Sequence, residues 1–167
     1  HIAGALSPLP PVRRSLAQVS SLVLAEDIIA RDSMPPFAAA AMDGYAVLSG
    51  DASAERTVFG EQDAGIKRNL TVTEGTAVRL MTGAPLPAGA DAVIPFEETT
   101  EAAGVVHPFS STRPGANVRP IGQDIATGEI ALLKGSVLGS AEIGLLASLG
   151  YARVPVHPRP RVSIMVT

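Results

Sequence analysis

Glycine and proline punctuate this chain so densely that a long helix has almost nowhere to run. Sixteen Gly and fourteen Pro stand among 167 residues. Gly loses more backbone freedom than any other residue when an element forms, and Pro lacks the N–H that a helix or ladder needs. A helical bundle is therefore excluded, and short strands between turns are expected, as in a small barrel or sandwich. Apolar residues make up 46 % of the chain and aromatic residues only 4 %, so the core must be built from Val, Leu, Ile and Ala. The length suffices for one compact domain or two small ones with a buried core.

The local patterns refine this. Residues 1 to 14 read as a Pro-rich extended arm, with Ile2 to Leu6 as the tail of a helix. Ser15 with Gln18 three residues on is a capping-box pattern, which predicts a short helix over Leu16 to Ser21. Strands are predicted over Leu22–Ala30, Tyr45–Leu48, Thr57–Glu61, Ala77–Leu80, Ala92–Pro95, Val105–Phe109 and Ile130–Leu133. Ser140 is the predicted cap of a helix over Ala141 to Leu149, with Gly150 at its C-terminal stop. Val154–Val156 and Arg161–Val166 close the list of predicted strands.

Composition excludes several kinds of chemistry. A net charge of −3 leaves no footprint for nucleic acid. The absence of cysteine excludes disulfides, Cys-ligated zinc, iron–sulfur clusters and thiol catalysis. No apolar run approaches the roughly 20 residues of a membrane span, and the N-terminus lacks the charged and apolar regions of a secretory signal. A cytoplasmic protein without nucleic-acid or membrane partners is expected. A first residue of His rather than Met is expected of a chain that belongs to a longer one. His107 and His157 stand alone, without a second ligand at metal spacing, and read as bystanders.

Three segments carry chemistry. Met34-Pro35-Pro36-Phe37 is a stiff non-helical arm that leads, after four alanines, into Met42-Asp43-Gly44-Tyr45-Ala46-Val47. Asp43-Gly44 reads as a tight turn and Tyr45 as the start of a strand, which places one carboxylate at a sharp corner. The second segment, Arg79-Leu80-Met81-Thr82-Gly83-Ala84-Pro85-Leu86-Pro87-Ala88-Gly89-Ala90-Asp91-Ala92-Val93-Ile94-Pro95, follows a strand-like run. The third runs from Arg113-Pro114-Gly115-Ala116-Asn117-Val118-Arg119 through Pro120-Ile121-Gly122-Gln123-Asp124-Ile125 to Gly128-Glu129. In this order the three resemble the molybdopterin molybdenumtransferase family, which comprises bacterial MoeA and the E domain of gephyrin and its plant relatives. The resemblance covers the chain from about Leu9 to its last residue.

The resemblance implies a mainly β, α+β architecture. An elongated strand-rich domain, 1–45 with 121–160, would carry an inserted small β-barrel-like domain at 46–120. Residues 161–167 would form the first strand of a third, α/β molybdopterin-binding domain. The implied activity of the full-length enzyme is insertion of molybdenum, from molybdate, into adenylylated molybdopterin with release of AMP. Mg²⁺ is the implied cofactor and a homodimer the implied assembly. The pterin pocket of the family lies mainly on the third domain, so this chain alone is expected to be inactive. The rival expectation is a non-catalytic scaffold or dimerisation module like that of gephyrin.

The site residues follow by matching. Asp43 matches the functional Asp of the Asp-Gly-Tyr motif and is the expected Mg²⁺ ligand, since Mg²⁺ needs only one or two carboxylates beside phosphate oxygens and water. Thr82 matches the Thr that lies at the active site of relatives, and with Gly83 it offers a hydroxyl and a backbone N–H that can meet an oxyanion; the alternative is that Thr82-Gly83-Ala84-Pro85 is only a turn between strands. Arg79 is a candidate for molybdate or phosphate, with a surface salt bridge as the alternative. Asp124 has a turn-forming role as its alternative. Arg113 and Arg119 form either an anion clamp or a solvated pair balancing Glu97, Glu98 and Glu101. Glu142, predicted at the second helical position, either matches the functional acid of the family or only stabilises the helix N-terminus. Where relatives carry a polar trio, this chain has Ala38 to Ala41, so a contact made there by a Ser hydroxyl cannot be carried over.

Overall fold

The computed structural model describes Gly4, residues 7–66 and residues 68–166; most of the predicted helix tail Ile2–Leu6 lies outside them. In chain order the strands are β1 Val12–Ser15, β2 Val23–Leu24, β3 Ile28–Ile29, β4 Ala39–Ala40, β5 Gly44–Val47 and β6 Arg56–Gln62. They continue as β7 Thr76–Leu80, β8 Ala92–Pro95, β9 Thr99–Ala102, β10 Val105–Pro108, β11 Val118–Arg119 and β12 Ile130–Leu132. The helix α1, Ser140–Ser148, then precedes β13, Arg153–His157. The architecture is mainly β. Contacts divide the chain into two units, Ser33–Asp124 and a discontinuous unit of the residues through Asp32 with those from Ile125 onward.

The continuous unit holds a six-stranded sheet in the order β8-β5-β7-β6-β10-β9, curled into a half-barrel. Its ladders are antiparallel except for the parallel pair β6 and β7. Strands β5 and β8 are buried at every residue. The two-residue period explains how: Tyr45, Val47, Ala92 and Ile94 enter one core cluster, while Ala46 and Val93 enter another with Val78 and Leu80. A sheet covered on both faces needs no polar alternation. The second cluster also takes Ala40. The alanine run, read above only as a missing polar trio, thus contributes the strand β4, paired with β11 and almost wholly buried.

The Asp43-Gly44 corner differs from the predicted tight turn. Gly44 does not have a positive φ; it opens β5. Glycine is required there by close approach, because a Cβ would collide with the Ile94 carbonyl of β8.

The discontinuous unit holds a sheet in the order β1-β13-β2 and a ribbon of β3 with β12. Its core is Val19, Leu24, Ile28, Leu138, Leu146, Val154 and Val156. This unit departs from three of the expected elements. The helix predicted over Leu16–Ser21 is one 3-10 turn, Leu16–Gln18: the Ser15 hydroxyl bonds the Gln18 side chain at 3.2 Å instead of capping the backbone, and Ser21 takes a positive φ. The strand predicted over Leu22–Ala30 is broken in two, because β2 pairs with β13 while β3 pairs with β12. Arg161–Val166 joins no ladder among the described residues, and Val162, Ile164, Met165 and Val166 are exposed.

Candidate functional site

The Asp43 carboxylate stands at the entry of β5, and the turn after β7 comes to meet it. Antiparallel pairing of Gly44 with Leu80 fixes this neighbourhood. Asp43 Oδ1 accepts two hydrogen bonds of 2.7 Å, one from the Thr82 N–H and one from the Thr82 hydroxyl. These donors favour the charged form, so they hold the exposed carboxyl below the usual carboxylate range, the hydroxyl being the larger cause. Oδ2 accepts no hydrogen bond from the described residues. The backbone carbonyl of Asp43 accepts the Phe96 N–H at 3.3 Å. One residue is therefore anchored by its main chain and one oxygen, with the other oxygen open.

The loops around it are tied together through backbone. Gly83 N–H donates to the Ala40 carbonyl and Ala40 N–H to the Ala84 carbonyl, both at 2.9 Å. The Gly83 N–H is thus engaged by the alanine strand, and its φ of +81° shapes the turn. Asn117 holds a third loop: its side chain donates to the Val93 carbonyl, and its own carbonyl accepts the Ala41 N–H, each at 2.9 Å. Asn117 and Phe96 were missed as positioning residues. The Pro-Gly-Ala-Asn turn signal marked Asn117, but its partners 24 and 76 residues away were not readable.

Arg79 stands opposite Tyr45 across the ladder. Its guanidinium lies 4.9 Å from the Phe96 ring centroid and pairs with Glu101 at 3.4 Å. Tyr45 meets Phe96 edge-on at 5.0 Å and donates its hydroxyl to Glu101. Burial, reinforced by Glu101, pushes the Tyr45 hydroxyl above its ordinary range. Arg79 is accordingly held by an aromatic and acidic cluster. Arg119 reaches Asp124 at 2.7 Å and Gln123 at 3.2 Å, within one local turn. Arg113 is exposed and makes no ion pair among the described residues.

Glu142 belongs to the discontinuous unit. Its predicted position is corrected by one residue: Gly139, not Ser140, is the N-cap, which puts Glu142 at the third helical position. There its carboxylate reaches back to the Gly139 N–H at 2.9 Å. That bond satisfies one of the donors that every helix start leaves unpaired. The structure therefore joins Asp43 to Thr82 and Arg119 to Asp124, and it gives Glu142 a helix-capping bond.

No group of three or more His, Cys, Asp or Glu forms a metal cage among the described residues. The donor set at Asp43 is one carboxylate oxygen in solvent. The cavity lined by Phe37, Ala38, Gly65, Ile66, Pro85 and Leu86 contains neither Asp43 nor Thr82.

An exposed aspartate, held in its charged form by a Thr-Gly turn, thus stands at the entry of a strand of the half-barrel. Residues 2–150 match the family described as MoeA N-terminal region (domain I and II), and the chain belongs to that family. It is 37 % identical over 185 residues to molybdopterin molybdenumtransferase 1 of Mycobacterium tuberculosis (strain H37Rv), covering 98 % of this chain and 43 % of that protein. It is 35 % identical over 177 residues to molybdopterin molybdenumtransferase of Staphylococcus aureus (strain MSSA476), covering 100 % of this chain and 42 % of the relative. Among solved structures, the molybdopterin biosynthesis moeA protein from Pyrococcus horikoshii OT3 superposes with a TM-score of 0.86 at 35 % identity, over 90 % of this chain and 41 % of that one. The chain thus spans less than half the length of the relatives it matches.

Proposed function

We propose that this chain supplies the Asp43–Thr82 face of a molybdenum-inserting transferase, whose full-length form takes adenylylated molybdopterin and molybdate and releases AMP. Family membership and the half-free Asp43 carboxylate support this reading, and the carboxylate carries it. Thr82 keeps Asp43 ionised and fixes its orientation without occupying Oδ2. A bound Mg²⁺ would draw its protein ligand from Asp43 and the rest of its shell from water and phosphate oxygens, a fit for an ion that seldom uses an all-protein cage. Such an ion supplies charge neutralisation at a departing phosphate. The chain's own residues act by position: the backbone ties of Ala40, Gly83 and Phe96 hold the carboxylate before substrate arrives. The same reading makes the full-length protein a cytoplasmic homodimer.

The test is Asp43→Asn in the full-length protein, assayed for molybdenum insertion into adenylylated molybdopterin. Loss of roughly 10²-fold or more in turnover, at unchanged thermal stability, is the expected result, in the range known for removing one preorganised electrostatic group. Wild-type turnover by the folded variant would overturn the assignment.

A further inference from the structure

Among the described residues, every ion pair lies between residues 51 and 124. The discontinuous unit has none, although it carries seven Lys and Arg against five Asp and Glu. Three of its carboxylates are engaged by backbone instead: Asp27 accepts the Lys134 N–H, Glu129 that of Ala126 and Glu142 that of Gly139. Five of its six arginines gather on β1, on β13 and just beyond, at Arg13, Arg14, Arg153, Arg159 and Arg161, while Arg31 lies over the Tyr151 ring.

These arginines flank an open sheet edge. Strand β1 has β13 on one side and no strand on the other among the described residues. Pro155 stands opposite Arg13 and cannot donate, so this is a non-bonded pair, and Val12–Val156 and Arg14–Val154 are the bonded ones. The Leu16 N–H to Ala152 carbonyl bond continues the alternation. The main-chain groups of Arg13 and Ser15 consequently point out along the open edge.

Side chains alternate in the same way. On one face Arg13 and Arg153 exchange guanidinium bonds to each other's carbonyl, at 3.3 and 3.5 Å. On the other, Arg14 and Arg159 line an open cleft of about 500 Å³ with Gln18, Ser20 and Leu22, and no carboxylate lines it.

We propose that this edge is a docking site for an acidic, extended segment of a partner protein, which adds to β1 as a fourth strand. Main-chain bonds to Arg13 and Ser15 would hold the added strand, as in other strand-addition complexes. Its alternate side chains would meet Arg13 and Arg153 on one face and Arg14 and Arg159 on the other. Charge supplies the selection: the same arginines repel the β1 edge of a second copy, which blunts edge-to-edge pairing, and they attract acidic side chains.

The test titrates the full-length protein into a fluorescent peptide of alternating Glu and Val, with the Lys and Val peptide as control. The Glu peptide is expected to bind and the Lys peptide not. Affinity should fall at least about tenfold between about 0.01 and 0.15 M salt, as the screening length shrinks from about 30 to about 8 Å. Hydrogen exchange of the segment 12–16 should slow on binding. Arg13→Glu with Arg153→Glu should abolish binding. Ser15→Pro is a milder probe, because Ser15 already has φ −69° and Pro deletes its outward N–H together with the exposed hydroxyl bond to Gln18, which Ser15→Ala deletes alone as the control. Relative to Ser15→Ala it should weaken binding by about fivefold, the worth of one hydrogen bond. Equal affinity for the two peptides, absence of binding, or binding without slower exchange at 12–16 would overturn the proposal.

Discussion

Asp51 and Asp43 are two aspartates of one structural unit, and their surroundings give them opposite uses. Asp51 is 8 % exposed; its Oδ1 accepts the Ser53 N–H, its Oδ2 accepts the Gly75 N–H, and Arg56 approaches Oδ2 at 3.2 Å. The Arg56 guanidinium, itself buried, also donates to the Asp51 carbonyl at 2.9 Å. Asp43 is exposed, with Oδ1 held by Thr82 and Oδ2 open. Both carboxyls are held in the ionised form, but only one keeps a free oxygen. A carboxylate whose lone pairs are all engaged by its own chain is a structural element, and one held by half is equipped to act on something else.

The largest test of this contrast is Asp51→Ala. It leaves the Arg56 charge buried without its partner, which should cost about 3–5 kcal/mol of stability in urea unfolding. Asp43→Ala should leave the urea midpoint close to that of wild type, because the carboxylate is exposed and partners no buried charge. Equal losses would erase the distinction. Gly44→Ala comes next, because it breaks the corner through backbone and not through the carboxylate. The collision with the Ile94 carbonyl should cost about 3 kcal/mol, at the upper end of the usual overpacking range, read as a lowered thermal midpoint.

Acid sharpens the contrast further. Hydrogen bonds from the Ser53 side chain, opposed by burial and aided by the Gly75 and Ser53 N–H groups and by Arg56, lower the Asp51 carboxyl from 3.8 to about 2. A folded-state value below the unfolded one gives stability that is fully present above about 3.8 and is lost as pH falls through about 2. Its size is about 2 kcal/mol at about 1.4 kcal/mol per unit, and an Asp51→Asn variant should lose that pH dependence in acid unfolding. The smallest effect belongs to Thr82→Val. Removing the hydroxyl should move the Asp43 carboxyl up toward its ordinary value in an NMR titration, with the fold unchanged. An unmoved titration would show that the Thr82 hydroxyl does not govern this carboxyl.

Much of the strand pattern was legible in advance, for a local reason. Ala92–Pro95 was read to the residue, and β6, β7, β10 and β13 to within a residue at either end, since each is a short β-prone run bounded by Gly, Pro or Asp. Strands β4, β9 and β11 were not legible. Ala39–Ala40 and Thr99–Ala102 have no β-branched apolar run, and they are extended because Val118–Arg119 and Val105–Pro108 pair with them. Pairing partners, unlike propensity, are not local. The Glu142 cap shows the same limit at smaller scale: Ser140 is the better capping residue by type, yet the backbone enters the helix at Gly139.

The sequence by itself determined that this is a β-rich chain of short elements, and that Asp43, Thr82 and Gly83 stand in motifs of the MoeA N-terminal region. Composition and motif order are properties of the chain, and they survive without any knowledge of its contacts. Only the tertiary structure decided what each residue is free to do. It engaged Gly83 with Ala40, placed Arg79 against Phe96 and Glu101, buried Ala40 in a core cluster, and left one oxygen of Asp43 open. The physical reason is that availability depends on the neighbours a side chain or N–H meets, and for Gly83, Arg79 and Asp43 those neighbours come from residues 17 to 43 positions away in the chain.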